Sequence, residues 1–226
     1  MISLFGSSLI SLALFFTLIS FGFNFWYIKS NDIRFYSAGR NAIISSCLLI
    51  LTSGFTLIFA LYNSDLSLIY VNKYSSIHTP TIFKISGFWA GMEGSLLFWT
   101  FILAIYMLVV LYQNRNRFIT LMPWVTIVIS MVLIFFLFIC LAFENPFTPV
   151  SGPIEMGSGL NPLLQHWAML LHPPMLYLGF IGFTIPYAYA VAAIATLKSI
   201  HVNNDHLRVS LIQDASNCCV AIAATA

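Results

Sequence analysis

A histidine followed by two prolines is the group of residues in this chain best suited to chemistry. His172, Pro173 and Pro174 lie where a loop rich in turn-forming residues gives way to a long apolar stretch. An ionisable residue at the edge of a membrane-spanning segment costs free energy unless it has a partner, which makes His172 a candidate functional residue. Since imidazole is the commonest protein ligand for metals, His172 is a candidate ligand for a metal ion or for haem iron.

The two prolines define the environment that we predict for this histidine. Proline is tolerated in the first turn of a helix, where an N–H group would have no acceptor, so we expect a helix to begin at Pro173 with His172 just before it. The partial positive charge of the helix N-terminus would then favour neutral imidazole, the form that binds iron. The alternative, which these features leave open, is an interfacial histidine bonded to a backbone carbonyl.

Two further titratable residues are candidates. His166 precedes His172 by six residues, which on a helix separates them by about 240° and argues against one shared metal. Glu93 is expected about six residues into the third spanning helix, roughly 9 Å below the outer surface, where Gly91 and Gly94 would admit a close neighbour. We interpret Glu93 as a structural contact; a proton or ion relay is the alternative, but it would need a second acidic residue at depth.

Composition identifies lipid as the solvent for most of the chain. Of its 226 residues, 60% are hydrophobic and 7% are charged, whereas a soluble domain carries about 25% charged residues. The apolar segments do not alternate with polar residues, which excludes a β-barrel. The net charge of +2 does not indicate nucleic acid as a partner, and the four cysteines show no CxxC or zinc spacing. We therefore predict an all-α, polytopic transmembrane helix bundle in a lipid bilayer.

Five apolar stretches are long enough to cross a bilayer, which needs about 20 residues each. They are predicted at Leu4–Ile28, Asn41–Tyr62, Gly87–Tyr112, Met122–Phe143 and Pro173–Leu197. Leu160–Leu171 is too short to span and too apolar for water, so we predict an interfacial helix on the outer leaflet with Trp167 at headgroup depth. Residues 1–198 would form the bundle, and residues 199–226 an inner loop and an anomalous tail.

The distribution of basic residues predicts the orientation in the membrane. Seven of them follow the first, third and fifth spans: Lys29, Arg34, Arg40, Arg115, Arg117, Lys198 and Arg208. The loops after the second and fourth spans contain two, Lys73 and Lys84. Because basic loops stay on the cytoplasmic side, we expect the N-terminus and the long loops at residues 63–86 and 144–172 to lie outside.

Three motifs carry a resemblance to a known family. Lys84–Trp99 reads KISGFWAGMEGSLLFW, which is similar to the KIxxxWxxxEGSLLxW motif of the cytochrome c maturation protein F family, the membrane component of the bacterial and mitochondrial haem-attachment machinery. Asn145-Pro146-Phe147 and the segment GLNPLLQ…HPPMLYLGF resemble the outer loop and following helix of that family, in the same order. The resemblance covers about residues 1–198; the related assembly protein of ammonifying nitrite reductase carries similar motifs.

The resemblance implies a function in cytochrome c biogenesis. Members of the family hold haem between two outer histidines beside a tryptophan-rich WWD segment and attach it to apocytochrome c by thioether bonds at CxxCH. By motif match, His172 would be the first of those histidines, an axial ligand of the haem iron. The implied partners are a haem-delivering chaperone, apocytochrome c and other cytochrome c maturation membrane proteins. The implied location is the bacterial inner membrane, with the mitochondrial inner membrane as the alternative.

The chain also departs from the family pattern. No tryptophan follows Trp167, so the WWD segment has no counterpart, and neither have the second outer histidine and the two histidines of a permanent b-type haem. We therefore expect the chain to act as one part of a haem lyase, active only within a complete or split protein. The alternatives are a non-catalytic scaffold of the maturation complex, or a transporter or proton-translocating subunit that uses Glu93.

Overall fold

The computed structural model describes residues 1–114, 120–152, 157–162 and 165–199, with side chains described up to residue 196. Within these ranges the regular structure is helical, and five segments are long and apolar enough to cross a membrane. This confirms the predicted polytopic all-α bundle. The helices are α1 (Ile2–Ser30), α2 (Ile33–Tyr62), α3 (Ile69–Tyr74), α4 (Thr81–Ser86), α5 (Met92–Gln113), α6 (Met122–Ala142), α7 (Trp167–Gly182) and α8 (Thr184–Ser199), with a 3₁₀ turn at Gly87–Trp89.

The turn between α1 and α2 is much shorter than predicted. Asn31 adopts the left-handed conformation, with φ of 54°, and ends α1, after which Asp32 caps α2 by accepting a 3.0 Å hydrogen bond from the Arg34 amide. α2 therefore begins at Ile33, eight residues before the predicted Asn41. The predicted boundary was wrong because it treated the arginines as loop residues, whereas long basic side chains extend from a helix end to the polar interface.

The bundle buries one continuous apolar core. α1 packs along α2 and α6, while α5 contacts α2, α6 and α7, and α6 also packs on α8. Ile10, Ile43 and Leu133 are fully buried in this core. Large aromatic side chains such as Phe55 and Phe135 are instead exposed on the outside of the bundle, as expected where the surrounding solvent is lipid.

A polar seam made of Thr17, Ser20, Gly39 and Ser46 joins α1 to α2. The Thr17 and Ser46 hydroxyls lie 2.6 Å apart, and Ser46 also donates to the carbonyl of Ala13 at 2.9 Å. Ser20 donates to the Gly39 carbonyl at 2.8 Å. Because small residues let helix backbones approach closely and hydroxyls bond across the gap, this seam determines how α1 and α2 pair.

The Asn-Pro-Phe motif attaches the loop after α6 to the start of α1. Phe147 is fully buried, and its ring lies directly over Gly6, where a Cβ atom would collide with it. Ser3 donates a 2.6 Å hydrogen bond to the Phe147 carbonyl, and the Asn145 side-chain amide donates to Ser7 at 3.1 Å. The motif therefore holds this loop on the end of α1.

The two long loops also contact each other. The Ile69 amide donates to the Thr148 carbonyl at 3.0 Å, and the Val150 amide donates to the Ser67 carbonyl at 2.9 Å. The loop after α2 and the loop after α6 therefore lie at the same end of the bundle, as the predicted topology requires. Which side of the membrane this end faces stays a prediction.

The last spanning segment differs from the prediction in both its start and its continuity. α7 begins at Trp167, six residues before Pro173, and contains both prolines. The predicted bounds of an interfacial helix at Leu160–Leu171 were wrong, because residues 160–162 contain no α-helix and residues 167–171 are the first residues of α7. Their depth in the membrane stays a prediction. α7 ends at Gly182 and α8 continues from Thr184. The predicted tail, residues 199–226, lies outside the described residues apart from Ser199.

Candidate functional site

His172 lies within α7 and not before it. It is the sixth residue of the helix, about 7.5 Å along the axis from Trp167 by helix rise. The N-cap is His166, whose Nδ1 accepts a hydrogen bond from the Ala168 amide at 3.2 Å. The prediction that His172 precedes the helix was therefore wrong, and the field of the helix terminus, which falls off within the first turn, does not act on this side chain as predicted.

The His172 side chain is exposed on an apolar face of α7. Its neighbours on this face, Met175 and Leu176, are 65% and 45% exposed. Gly179 follows about two turns later, and a Cβ atom there would meet nothing within 4 Å among the described residues. An imidazole on an open apolar surface fits the requirements of one axial ligand to a haem iron, because the ligand nitrogen is accessible and the surface beside it is water-excluding.

The other candidate ligands do not join His172. Among the described residues, no group of three or more His, Cys, Asp and Glu comes together. His166 is used as a helix cap, with its ring 5.7 Å from that of Trp167, and His78 is exposed in the loop after α3. Cys47 and Cys140 are free and buried within spanning helices, where they pack as small apolar residues.

The opposite face of α7 packs on the 3₁₀ turn and on α5. The indole Nε1 of Trp89 donates a 3.2 Å hydrogen bond to the carbonyl of Met169. A cleft of about 170 Å³ lies beside this bond, with Pro173 and Tyr177 in its wall. The 3₁₀ turn that precedes α5 and the turn of α7 before the two prolines are thus in direct contact.

An aromatic cluster extends this contact deeper into the membrane. The ring centres of Trp89 and Phe98 are 5.5 Å apart, and those of Phe98 and Tyr177 of α7 are 5.8 Å apart. Trp99 contacts the same Tyr177 ring at 5.6 Å and Phe136 of α6 at 5.4 Å. Sequence reasoning missed this cluster; the available signal was that both tryptophans of the Lys84–Trp99 motif have further aromatic residues beside them.

Glu93 occupies a different position from the predicted one. It is the second residue of α5, half-buried in the first turn, so the expected depth of about six residues was wrong. A carboxylate there is favourably placed, because the helix N-terminus carries partial positive charge. A helix end does not supply the buried carboxylate that a proton relay through the membrane would need.

The glycines around Glu93 accommodate a tyrosine of α3. The Tyr70 hydroxyl donates to the Gly87 carbonyl at 2.7 Å and accepts from the Gly91 amide at 3.2 Å. A Cβ atom at Gly94 would collide with the same hydroxyl, which confirms the predicted close neighbour. Burial is the main cause that raises the pKa of Tyr70, and the nearby Tyr74 and Glu93 raise it further, so its hydroxyl stays protonated and keeps the 3₁₀ turn in place.

Comparison with known proteins places these motifs in a wider context. The family model described as "Cytochrome C assembly protein" matches residues 89–225. The cytochrome c-type biogenesis protein CycK of Bradyrhizobium diazoefficiens is 34% identical over 74% of this chain and 25% of its own length. CcmF of Escherichia coli is 30% identical over 84% of this chain and 29% of its own. NrfE of Haemophilus influenzae is 33% identical over 58% of this chain and 20% of its own length.

A solved structure shows the same arrangement of helices. The structure titled "Cytochrome c Heme Lyase CcmF" superposes with a TM-score of 0.75 at 31% identity, over 87% of this chain and 31% of that one. The chain therefore spans about a fifth to a third of the length of the proteins that it matches.

Proposed function

We propose, from the premise that this chain belongs to the family of cytochrome c assembly proteins, that it forms one part of a haem lyase and holds haem at the outer end of the membrane bundle. In this proposal His172 supplies one axial ligand to the iron. The chain covers 20–31% of the length of the relatives that it matches, so the proposal concerns one part of the haem site.

One observation supports the proposal more than any other: His172 is exposed on an apolar face of a spanning helix. A histidine facing lipid would lose its hydrogen bonds to water without compensation. Coordination of an iron atom would satisfy the imidazole, and the apolar residues beside it would contact the porphyrin. The face is also open, so haem or a further protein segment has room to approach.

Haem is the substrate in this proposal. Each cysteine thiol of an apocytochrome CxxCH segment would add across a haem vinyl group, which breaks one S–H bond and one C=C π bond and forms one C–S and one C–H bond. The role of this chain is to hold and orient the haem iron through His172. The partners that follow are a haem-delivering chaperone, apocytochrome c and the other maturation proteins of the membrane.

The chain is a multi-pass membrane protein. We propose the bacterial inner membrane as its location, since its relatives CycK, CcmF and NrfE are bacterial. The end that contains Trp167 would then face the periplasm. In a mitochondrion the equivalent end would face the intermembrane space.

The test of this proposal compares two histidine variants in the native host. We expect His172→Ala to reduce covalently bound c-type haem at least about tenfold, since even outer-shell changes at metal sites cost this much. His78→Ala is the matched control, because His78 is exposed in a loop at the same end of the bundle. Haem staining of membranes gives the c-type cytochrome content, and immunoblotting gives the amount of the protein itself.

Unchanged c-type haem in the His172→Ala strain would contradict a role in holding haem. If the variant protein still co-purified with the other maturation proteins, a scaffolding function would replace the proposed one. The exposed apolar face of α7 is compatible with such docking, which makes the scaffold the second candidate.

A further inference from the structure

We infer that Trp89 is a positioning residue for His172, and that it acts through the backbone carbonyl of Met169. The importance of this positioning for haem rests on the proposed function. The hydrogen bond itself can be tested without haem.

One helical hydrogen bond is missing from α7. In an α-helix the N–H of each residue bonds to the carbonyl four residues earlier. Proline has no N–H, so Pro173 leaves the carbonyl of Met169 without its helical partner. A backbone carbonyl that lacks its helical partner needs another donor, from a protein group or from water.

Trp89 provides that replacement. Its indole N–H donates to the Met169 carbonyl at 3.2 Å from a position 80 residues earlier in the chain. The donor is itself held in place, because the Tyr70 hydroxyl bonds the Gly87 carbonyl at the start of the same 3₁₀ turn. The ring of Phe98 lies 5.5 Å from the indole.

The orientation of His172 depends on this turn of α7. Met169 and Pro173 lie three residues before and one residue after His172, so the path of the backbone between them sets the direction of its Cα–Cβ bond. A proline without a substitute donor lets the helix bend at this point. The Trp89 bond therefore connects the tryptophan of one motif to the histidine of the other.

The test is a double-mutant cycle on the protein purified from its own membranes with its co-purifying chains. Trp89→Phe removes the indole N–H and keeps an aromatic ring, whereas Pro173→Ala restores a backbone N–H to the Met169 carbonyl. We expect Trp89→Phe to weaken haem retention about fivefold in the Pro173 protein, which corresponds to the net contribution of one hydrogen bond. In the Pro173→Ala background, the same change should have less than about a twofold effect.

Trp99→Phe is the matched control, because Trp99 packs on Tyr177 of the same helix through its ring. We expect its effect to be equal in the two backgrounds. The haem absorption spectrum distinguishes positioning from simple loss of packing: Trp89→Phe should change the axial-ligand bands of the haem that remains bound, and Trp99→Phe should not.

A second readout needs no haem. The indole N–H resonance that disappears in Trp89→Phe should be protected from hydrogen exchange in the parent protein. It should lose that protection in Pro173→Ala, where the restored backbone N–H competes for the same carbonyl. An unprotected Trp89 indole in the parent protein would overturn the inference.

The two proposals fail in different ways. If His172→Ala leaves the haem spectrum unchanged, the proposed function fails while the protected indole still supports the Trp89 bond. If His172→Ala removes haem but Trp89→Phe has the same effect in both backgrounds, the positioning inference is overturned. If Trp89→Phe prevents accumulation of the protein, the same change is made in the Pro173→Ala background. Restored accumulation there supports the inference, and loss of the protein in both backgrounds overturns it.

Discussion

At the scale of single residues, Phe147 shows how one side chain holds a loop at the end of the bundle. Its ring occupies the space above Gly6 that any larger residue would need, and its carbonyl accepts a hydrogen bond from Ser3. The side chain is fully buried although it belongs to a loop. An aromatic residue of this size contributes several kcal/mol when buried, about 3–5 kcal/mol being lost on truncation to alanine.

Gly6→Ala should destabilise the protein for this reason. A methyl group at this position collides with the Phe147 ring, and overpacking of this kind costs about 1–3 kcal/mol. The matched control is Gly22→Ala in the same helix, where a Cβ atom would meet no described residue within 4 Å. Since alanine is a better helix former than glycine by about 1 kcal/mol, Gly22→Ala should be neutral or stabilising.

Thermal unfolding in detergent, followed by circular dichroism, measures both variants. The two changes are chemically identical and lie in the same helix, so helix propensity alone predicts the same sign for both. Equal melting temperatures for the two variants would contradict the assigned contact between Gly6 and Phe147.

At the scale of elements, α1 and α2 are paired by side chains that bond across a narrow gap. Thr17 and Ser46 lie 2.6 Å apart in the middle of the pair. Ser20 reaches the backbone of α2 at Gly39. Hydrophobic burial does not distinguish one helix from another in lipid, so such contacts determine which faces meet.

A double-mutant cycle on Thr17→Val and Ser46→Ala should measure this pairing. We expect a coupling free energy of about 0.6 kcal/mol and no more than about 1.7 kcal/mol, the range of interhelical hydrogen bonds in membranes. Ser11→Ala is the control, because the Ser11 hydroxyl donates to the Ser7 carbonyl of its own helix. Reversible unfolding in mixed micelles gives the three free energies, and a coupling of zero would contradict the seam.

At the scale of the whole molecule, the loops that carry the family motifs meet at one end. The Asn-Pro-Phe loop, the loop after α2 and the start of α5 are joined by hydrogen bonds. The start of α7 joins them through Trp89. His172 therefore lies near an end of the bundle that is assembled from several separate segments.

Cysteine labelling should determine which side of the membrane this end faces. Ile77→Cys places a thiol in the loop after α3, at a residue that is 72% exposed, and Ser30→Cys places one at the opposite end of α1. The native Cys47 and Cys140 are buried, and Cys218 and Cys219 would be replaced by serine. We expect a membrane-impermeant maleimide to label residue 77 in intact cells and residue 30 only after lysis. The reverse pattern would contradict an outer N-terminus.

The bounds of the helices show where local signals were sufficient. The ends of α2 and α6 were predicted within one residue, because the apolar run itself ends there. The starts of α2 and α7 were not. Each begins among residues that a local rule assigns to loops, arginines in one case and residues preceding a proline pair in the other. Both starts are instead stabilised by a capping side chain, Asp32 for α2 and His166 for α7.

The amino-acid sequence by itself determined the class of this protein. Its apolar composition requires lipid as the solvent, and a bilayer requires helices of about 20 residues. Both properties can be read from short stretches of the chain without knowing how those stretches pack. The motifs around Glu93 and His172 could also be recognised without a structure. The tertiary structure alone decided that Glu93 lies at a helix end and that His172 lies inside α7. Within α7, Pro173 leaves the Met169 carbonyl without its helical partner, and Trp89, 80 residues earlier, donates to that carbonyl. Such a non-local contact has no local signal.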